Sequence, residues 1–259
     1  MPTDVLVLCY HALSPTWTAA LSTTPDRFEC QISRLTRRGY RGMTFTEAVA
    51  SPPPQGRVLA VTFDDAYRSV IELGRPILDH FGLPATVFAP TDFIGAERPL
   101  HWSEVDGWLG GPHEHELTLM SWAELQTLRN AGWEIGSHTG SHPRLTGIDD
   151  RALGDELGRS KAACERHLGA PCTSLAYPYG DVDARVVAAT ARAGYLAAAA
   201  LPEGRLGSRD ALVWPRIGIY RLDDDLRFRL KISPAIRRLR SPAAPGLPDA
   251  LHRVAERLR

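Results

Sequence analysis

Short apolar runs alternate with amphipathic stretches along this chain, and each run ends in polar residues. Arg57-Val58-Leu59-Ala60-Val61-Thr62-Phe63 follows a Pro-rich stretch at 51–56 and has the continuous apolar character of a parallel strand buried on both faces. Val5-Leu6-Val7-Leu8-Cys9-Tyr10 is a second such run, ending at His11. Weaker strand signals fall at 85–88, 133–137, 174–177, 196–199 and 213–219. Helical periodicity fills the gaps. Residues 67–82 present Val70, Ile71, Leu73, Ile77, Leu78 and Phe81 on one face, with Pro76 predicting a kink. Thr24 and Pro25 read as the cap and first position of a helix burying Phe28, Ile32 and Leu35 and ending near Gly39. Ser121 and Glu124 have capping-box spacing ahead of Leu125 and Leu128. Asp149 or Asp150 opens a long helix closed by Gly169, and 182–193 is a further helix closed by Gly194. This β–α alternation predicts a parallel sheet covered by helices.

Composition changes the picture little. At 259 residues and 44% hydrophobic, the chain can bury the core of one barrel-sized domain. Thirty acidic residues balance thirty basic ones, so charge does not point to nucleic acid. The balance is global but not local: 231–259 holds seven basic residues against Asp249 and Glu256. We therefore expect one main domain over 1–230 and a basic helical tail over 231–259, read first as a solvated helix and, as the alternative, as a surface for an anionic or bilayer-adjacent substrate. No apolar run is long enough to span a bilayer, and the start of the chain has no basic, cleavable leader pattern. The four cysteines are scattered, which suits reduced thiols, and the expected location is cytoplasmic. Nothing in the sequence sets the oligomeric state.

Chemistry concentrates where strands end. Asp64-Asp65 follows the run at 57–63, and His138-Thr139-Gly140-Ser141-His142 follows the weaker one at 133–137. Two imidazoles, a ligating carboxylate and a second carboxylate are the minimum for a catalytic zinc-type site with its own base. Each piece alone is a weak signal, since Asp pairs cap helices and isolated histidine pairs are common. Their joint occurrence, with a third cluster at Tyr177-Pro178-Tyr179-Gly180, favours a site. Gly136, Gly140 and Pro143 predict that the histidines sit on a loop, so that backbone folding must bring the rings together.

The motifs resemble those of the polysaccharide deacetylases, the metal-dependent carbohydrate esterases that act on chitin, peptidoglycan and related glycans. Thr62-Phe63-Asp64-Asp65-Ala66 is similar to the family's T-F-D-D-G, 138–142 to its H-[ST]-x-x-H, and Ala176-Tyr177-Pro178-Tyr179-Gly180 to its R-x-P-Y-G. The similarity runs from about Val5 to Tyr220. It implies a distorted, incomplete (β/α) barrel of about seven strands and one divalent ion, zinc first, with cobalt, nickel or manganese as alternatives. It also implies an enzyme that removes N-acetyl groups from an amino sugar in a glycan, lipid-linked or nucleotide-linked saccharide. By the same resemblance Asp65, His138 and His142 hold the metal, Asp64 is the base, and the Tyr179 backbone N–H joins the metal at the oxyanion. The chain departs from the pattern in three places. Ala66 replaces a glycine, at what we expect to be an undemanding helix start. Ala176 replaces the arginine that tethers the base, and the late Leu-x-His is missing. A circularly permuted subset, which includes poly-N-acetylglucosamine deacetylases, takes that histidine from an N-terminal strand, which assigns the acid role to His11. Arg216 then becomes the expected partner of Asp64. Two other readings share these features: an O-acetyl esterase or non-sugar amidohydrolase, and a catalytically retired carbohydrate-binding protein. The irregular stretch 93–119, with Trp102, Trp108, His113 and His115, is the expected substrate-facing loop.

Overall fold

A computed structural model describes residues 4–49, 55–96, 102, 105–201 and 210–239. Its strands are β1 (Asp4–Tyr10), β2 (Ala12–Leu13), β3 (Ser22–Thr23), β4 (Arg41–Gly42), β5 (Arg57–Phe63) and β6 (Thr86–Ala89), then β7 (Glu134–Ser137), β8 (Ser174–Ala176), β9 (Ala197–Ala200), β10 (Trp214–Pro215) and β11 (Ile217–Gly218). The principal sheet runs β10-β9-β8-β7-β6-β5-β1-β11, with β4 added beside β5. Every pairing in it is parallel. The path has eight strands, or seven if β10 and β11 count as one bent strand. These two lie at opposite edges, yet only Arg216 separates them in sequence. The chain thus passes from one edge to the other across a single residue, which nearly closes the sheet into a barrel.

Strand alternation sorts side chains between two cores. Leu6, Leu8, Tyr10, Leu59, Val61 and Phe63 face outward and pack with Phe28, Ile32 and Leu35 of helix α1 (Pro25–Arg37). Val5, Val7, Val58, Ala60, Phe88, Ala197 and Ala199 form the other cluster, the barrel interior, joined by Phe45, Ala48 and Val49 of α2 (Phe45–Val49). Followed toward the strand C-termini, the interior rows of β1 and β5 turn polar, through Cys9 and His11 and through Thr62 and Asp64. Catalytic groups of such barrels occupy this end.

The outer helices begin and end where local chemistry dictates. Thr24 caps α1 by accepting from the Arg27 amide, and Ser121 with Glu124 forms the capping box of α4 (Trp122–Asn130). Asp149 caps α5 (Asp150–Leu168), which Gly169 closes at φ 61°. Asp183 caps α6 (Ala184–Arg192). The helix expected over 67–82 is divided: a π turn at Val70–Gly74 leads into α3 (Arg75–His80), with Pro76 in its first turn, where a missing N–H costs nothing. After α7 (Asp225–Lys231), the expected basic tail is described only through α8 (Pro234–Leu239). Arg237 of α8 reaches Asp4 at 2.5 Å, at the barrel end remote from the strand C-termini. The rest of the tail, with His252, lies outside the described residues, as does His101. Among the described residues no helix is long and apolar enough to cross a membrane.

Candidate active site

Strand register sets the first contacts. With Tyr10 opposite Phe63, β1 and β5 end side by side, and the Asp64 amide donates to the Tyr10 carbonyl at 3.0 Å. The chain then turns sharply: Asp65 has φ 67° and Ala66 φ 57°. The expectation that Ala66 merely starts a helix is therefore corrected. The position is left-handed and fully buried, and a glycine would take it without strain, whereas alanine pays about 1 kcal/mol or more. Beyond β7 the His138 amide donates to Ala89 O at 2.8 Å, and the loop that follows carries Thr139 at φ 66° and His142 at φ 60°. Non-glycine residues in this region cluster at functional sites.

Three side chains from these two turns converge. The Nε2 atoms of His138 and His142 each lie 3.5 Å from Asp65 Oδ1, and the two rings are 4.7 Å apart at 70°. All three residues are buried. His138 Nδ1 is 2.9 Å from the Ala176 carbonyl; the proton there is assigned by that partner, leaving the Nε2 lone pair toward Asp65. Burial lowers the pKa of both imidazoles below the ordinary value, so both are neutral and able to ligate. A donor set of two neutral nitrogens and one carboxylate oxygen fits a divalent cation.

Asp64 faces the same space but has a different partner. Arg216 donates to both of its oxygens, Nη1 to Oδ1 at 2.6 Å and Nη2 to Oδ2 at 2.7 Å, and Nη1 also donates to Thr62 Oγ1 at 3.1 Å. The Cys9 thiol adds a weaker bond to Oδ2 at 3.4 Å. Burial alone would raise the Asp64 pKa, but Arg216, and then His138, hold it well below the carboxylate range. Asp64 is thus ionised and its plane fixed, with Oδ2 4.0 Å from His138 Nε2. Ala176, the position at which the resemblance led us to look for a tethering arginine, supplies its carbonyl to His138.

Asp64, Asp65, His138 and His142 line one cavity of about 240 Å³, together with His11, Tyr179, Tyr220, Trp102 and Arg144. His11 is 9% exposed, and its Nδ1 has no hydrogen-bond partner among the described residues. Burial lowers its pKa to about 4, against an upward pull from Asp64. Its ring stacks with Tyr220, centroids 6.3 Å apart. Tyr179, at φ 59°, sets its ring edge-on to His142 at 4.7 Å, and the Arg144 guanidinium lies 4.1 Å over its face. From the irregular stretch, Trp102 stacks on His142 at 4.1 Å, while Trp108 packs against Trp17 instead. Cys9, Arg144 and Tyr220 were not singled out by the motifs. Cys9 could have been found from strand parity, two residues before His11; Arg144 and Tyr220 left no signal.

The polysaccharide deacetylase profile matches residues 51–198. A Bacillus subtilis protein described as a polysaccharide deacetylase, YxkH, is 25% identical over 239 residues, covering 91% of this chain and 74% of that one. The poly-β-1,6-N-acetyl-D-glucosamine N-deacetylase of Staphylococcus aureus is 24% identical over 171 residues, and the match spans 61% of this chain and only about half, 54%, of that protein. Among solved structures, the Streptococcus pyogenes deacetylase PplD in complex with acetate superposes with a TM-score of 0.73 at 22% identity, covering 90% of this chain and all of the other. IcaB from Ammonifex degensii gives 0.69 at 20%, covering 91% of this chain and all of the other. These two likenesses establish the fold. The profile match spans more than half the sequence and contains all three strand-end motifs, so the chain belongs to the polysaccharide deacetylase family.

Proposed function

We propose that this protein is a metal-dependent hydrolase of linear amides that removes the N-acetyl group from an amino sugar in a glycan or in a lipid- or nucleotide-linked saccharide. The observation that carries the reading is the meeting, in one cavity, of a three-donor cation site and an ionised carboxylate that an arginine holds beside it. The names of the family and of its S. aureus relative support a glycan and an N-acetylglucosamine unit. Zinc suits two imidazoles and a carboxylate best, and cobalt, nickel and manganese suit the same donors. Four free cysteines support a reducing compartment, the cytoplasm.

Asp65, His138 and His142 would hold the ion. When bound, it supplies Lewis acidity, lowering the pKa of a coordinated water and polarising the acetyl carbonyl. The remaining work falls to side chains of the chain itself. Asp64 takes the water's proton, kept ionised and in plane by Arg216. The main-chain N–H of Tyr179 donates to the oxygen that gains charge. His11 hands a proton to the leaving nitrogen. Its low pKa means that it rests neutral, so this proton must arrive during turnover. Asp64 is the source within reach, because Asp64 and His11 present atoms within 4.8 Å of each other.

The experiment is acetate release. Metal-loaded protein is expected to free acetate from an N-acetylglucosamine oligomer and to stop when chelator removes the ion, recovering on metal addition. Turnover of O-acetylated but not N-acetylated sugars would sink the deacetylase reading. His11→Ala is expected to keep its metal and lose about 10²-fold or more in turnover. A loss below about threefold would move the acid role to another residue.

A further inference from the structure

The loop from His138 to His142 has no regular backbone of its own, and one carboxylate from a different element holds its shape. Glu156, on α5, is 8% exposed. Its Oε2 accepts from the Gly140 amide at 2.8 Å and from the Ser141 amide at 2.9 Å, and its Oε1 accepts from Ser141 Oγ at 2.7 Å. One turn further along α5, Ser160 Oγ accepts from Ser137 Oγ at 2.8 Å, and Ser137 Oγ in turn accepts from the Thr139 amide at 3.1 Å. Thr139 Oγ1 then accepts from the His142 amide, also at 3.1 Å. Every amide from 139 to 142 thus has a side-chain acceptor, and two of the four belong to Glu156. The approach is close: a Cβ on residue 140 would lie 3.1 Å from Glu156 Oε2 and 3.3 Å from Asp92 Oδ2, so a side chain there would press on both carboxylates.

This matters because the loop backbone at Thr139 and His142 lies in the left-handed region, which side-chain-bearing residues avoid. The Thr91 and Asp92 amides donate to the Thr139 and Gly140 carbonyls at 3.0 and 3.1 Å. Among the described residues only Glu156 gives the 140 and 141 amides an acceptor, and without it the turn that aims two imidazoles at one point is held at fewer places. We infer that Glu156 is a positioning residue which sets the affinity of the His138–His142–Asp65 site by holding the loop in its ligating shape. A carboxylate suits the task because it only accepts, while both loop amides and the Ser141 hydroxyl donate. The inference rests on the reading that Asp65, His138 and His142 bind a divalent ion.

The test is a cobalt titration of metal-stripped wild-type protein and of Glu156→Ala, Glu156→Asp and Glu156→Gln. It is followed by calorimetry and by the visible spectrum of bound cobalt, with melting measured in chelator. Glu156→Ala is expected to bind about 10- to 100-fold more weakly, the range found when a group that orients metal ligands is removed. Glu156→Asp, too short to reach both amides, should weaken binding in the same direction. Glu156→Gln keeps a carbonyl for both amides and an NH₂ for Ser141 Oγ, so it should stay within about threefold of wild type. A lowered metal-free melting temperature with unchanged cobalt affinity in Glu156→Ala and Glu156→Asp would overturn the inference and leave Glu156 a helix anchor. Should Glu156→Ala not fold, Glu156→Asp alone decides: wild-type affinity there overturns the assignment. Wild-type protein that binds no cobalt would overturn the metal reading, and this inference with it.

Discussion

Asp64→Asn is expected to lower turnover by about 10²- to 10⁴-fold while metal content stays at the wild-type level. The amide keeps a carbonyl for Arg216 but cannot accept a proton from water. Asp65→Ala should fail differently, by losing metal, because it removes the oxygen that lies 3.5 Å from both imidazole Nε2 atoms. Metal analysis alongside acetate assays of the two variants separates the roles. If Asp64→Asn lost its metal while Asp65→Ala kept it, the two assignments would be exchanged. Some stability should also be lost in Asp64→Asn, because Arg216 is then buried beside a neutral partner.

Arg216→Met carries the second large effect, and here stability is the readout. Arg216 is 2% exposed, Asp64 is 3% exposed, and Arg216 donates to both Asp64 oxygens. Removing one partner of such a buried pair strands the other charge and costs about 3–5 kcal/mol. Urea unfolding of metal-free protein should register that loss. The double variant Asp64→Asn/Arg216→Met should be more stable than Arg216→Met alone, because no uncompensated carboxylate then remains in the interior. Losses that simply added would show that the pair is not coupled as the geometry requires. Turnover should fall with Arg216→Met as well, since among the described residues only the Cys9 thiol also bonds the Asp64 carboxylate, at one oxygen, 3.4 Å away.

Much of the site was legible because its backbone determinants are local. The runs at 5–10 and 57–63 announce buried strands, since a strand covered on both faces has no polar alternation to hide it. Thr24, Ser121 with Glu124, Asp149 and Gly169 mark helix ends through hydrogen bonds or conformations that involve only neighbouring residues. The strand-end placement of Asp64, Asp65, His138 and His142 follows from the same local reading. Ala66 was misjudged because an alanine does not advertise the left-handed turn it occupies. The run at 213–219 reads as one strand, but its middle residue crosses between the two sheet edges, a break that depends on barrel closure.

Elements, their order and the chemistry at their ends were therefore determined by the sequence itself, because hydrophobic periodicity and capping act over a few residues. Meeting was decided by the tertiary structure. Residues 64 and 216 are 152 positions apart, and only sheet closure sets the guanidinium against the carboxylate. Glu156 looks like any polar residue of a helix until α5 packs on β7 and aims it at two amides of the 138–142 loop. Such contacts leave no periodic trace, because a hydrogen bond across the barrel constrains two positions and none of those between them.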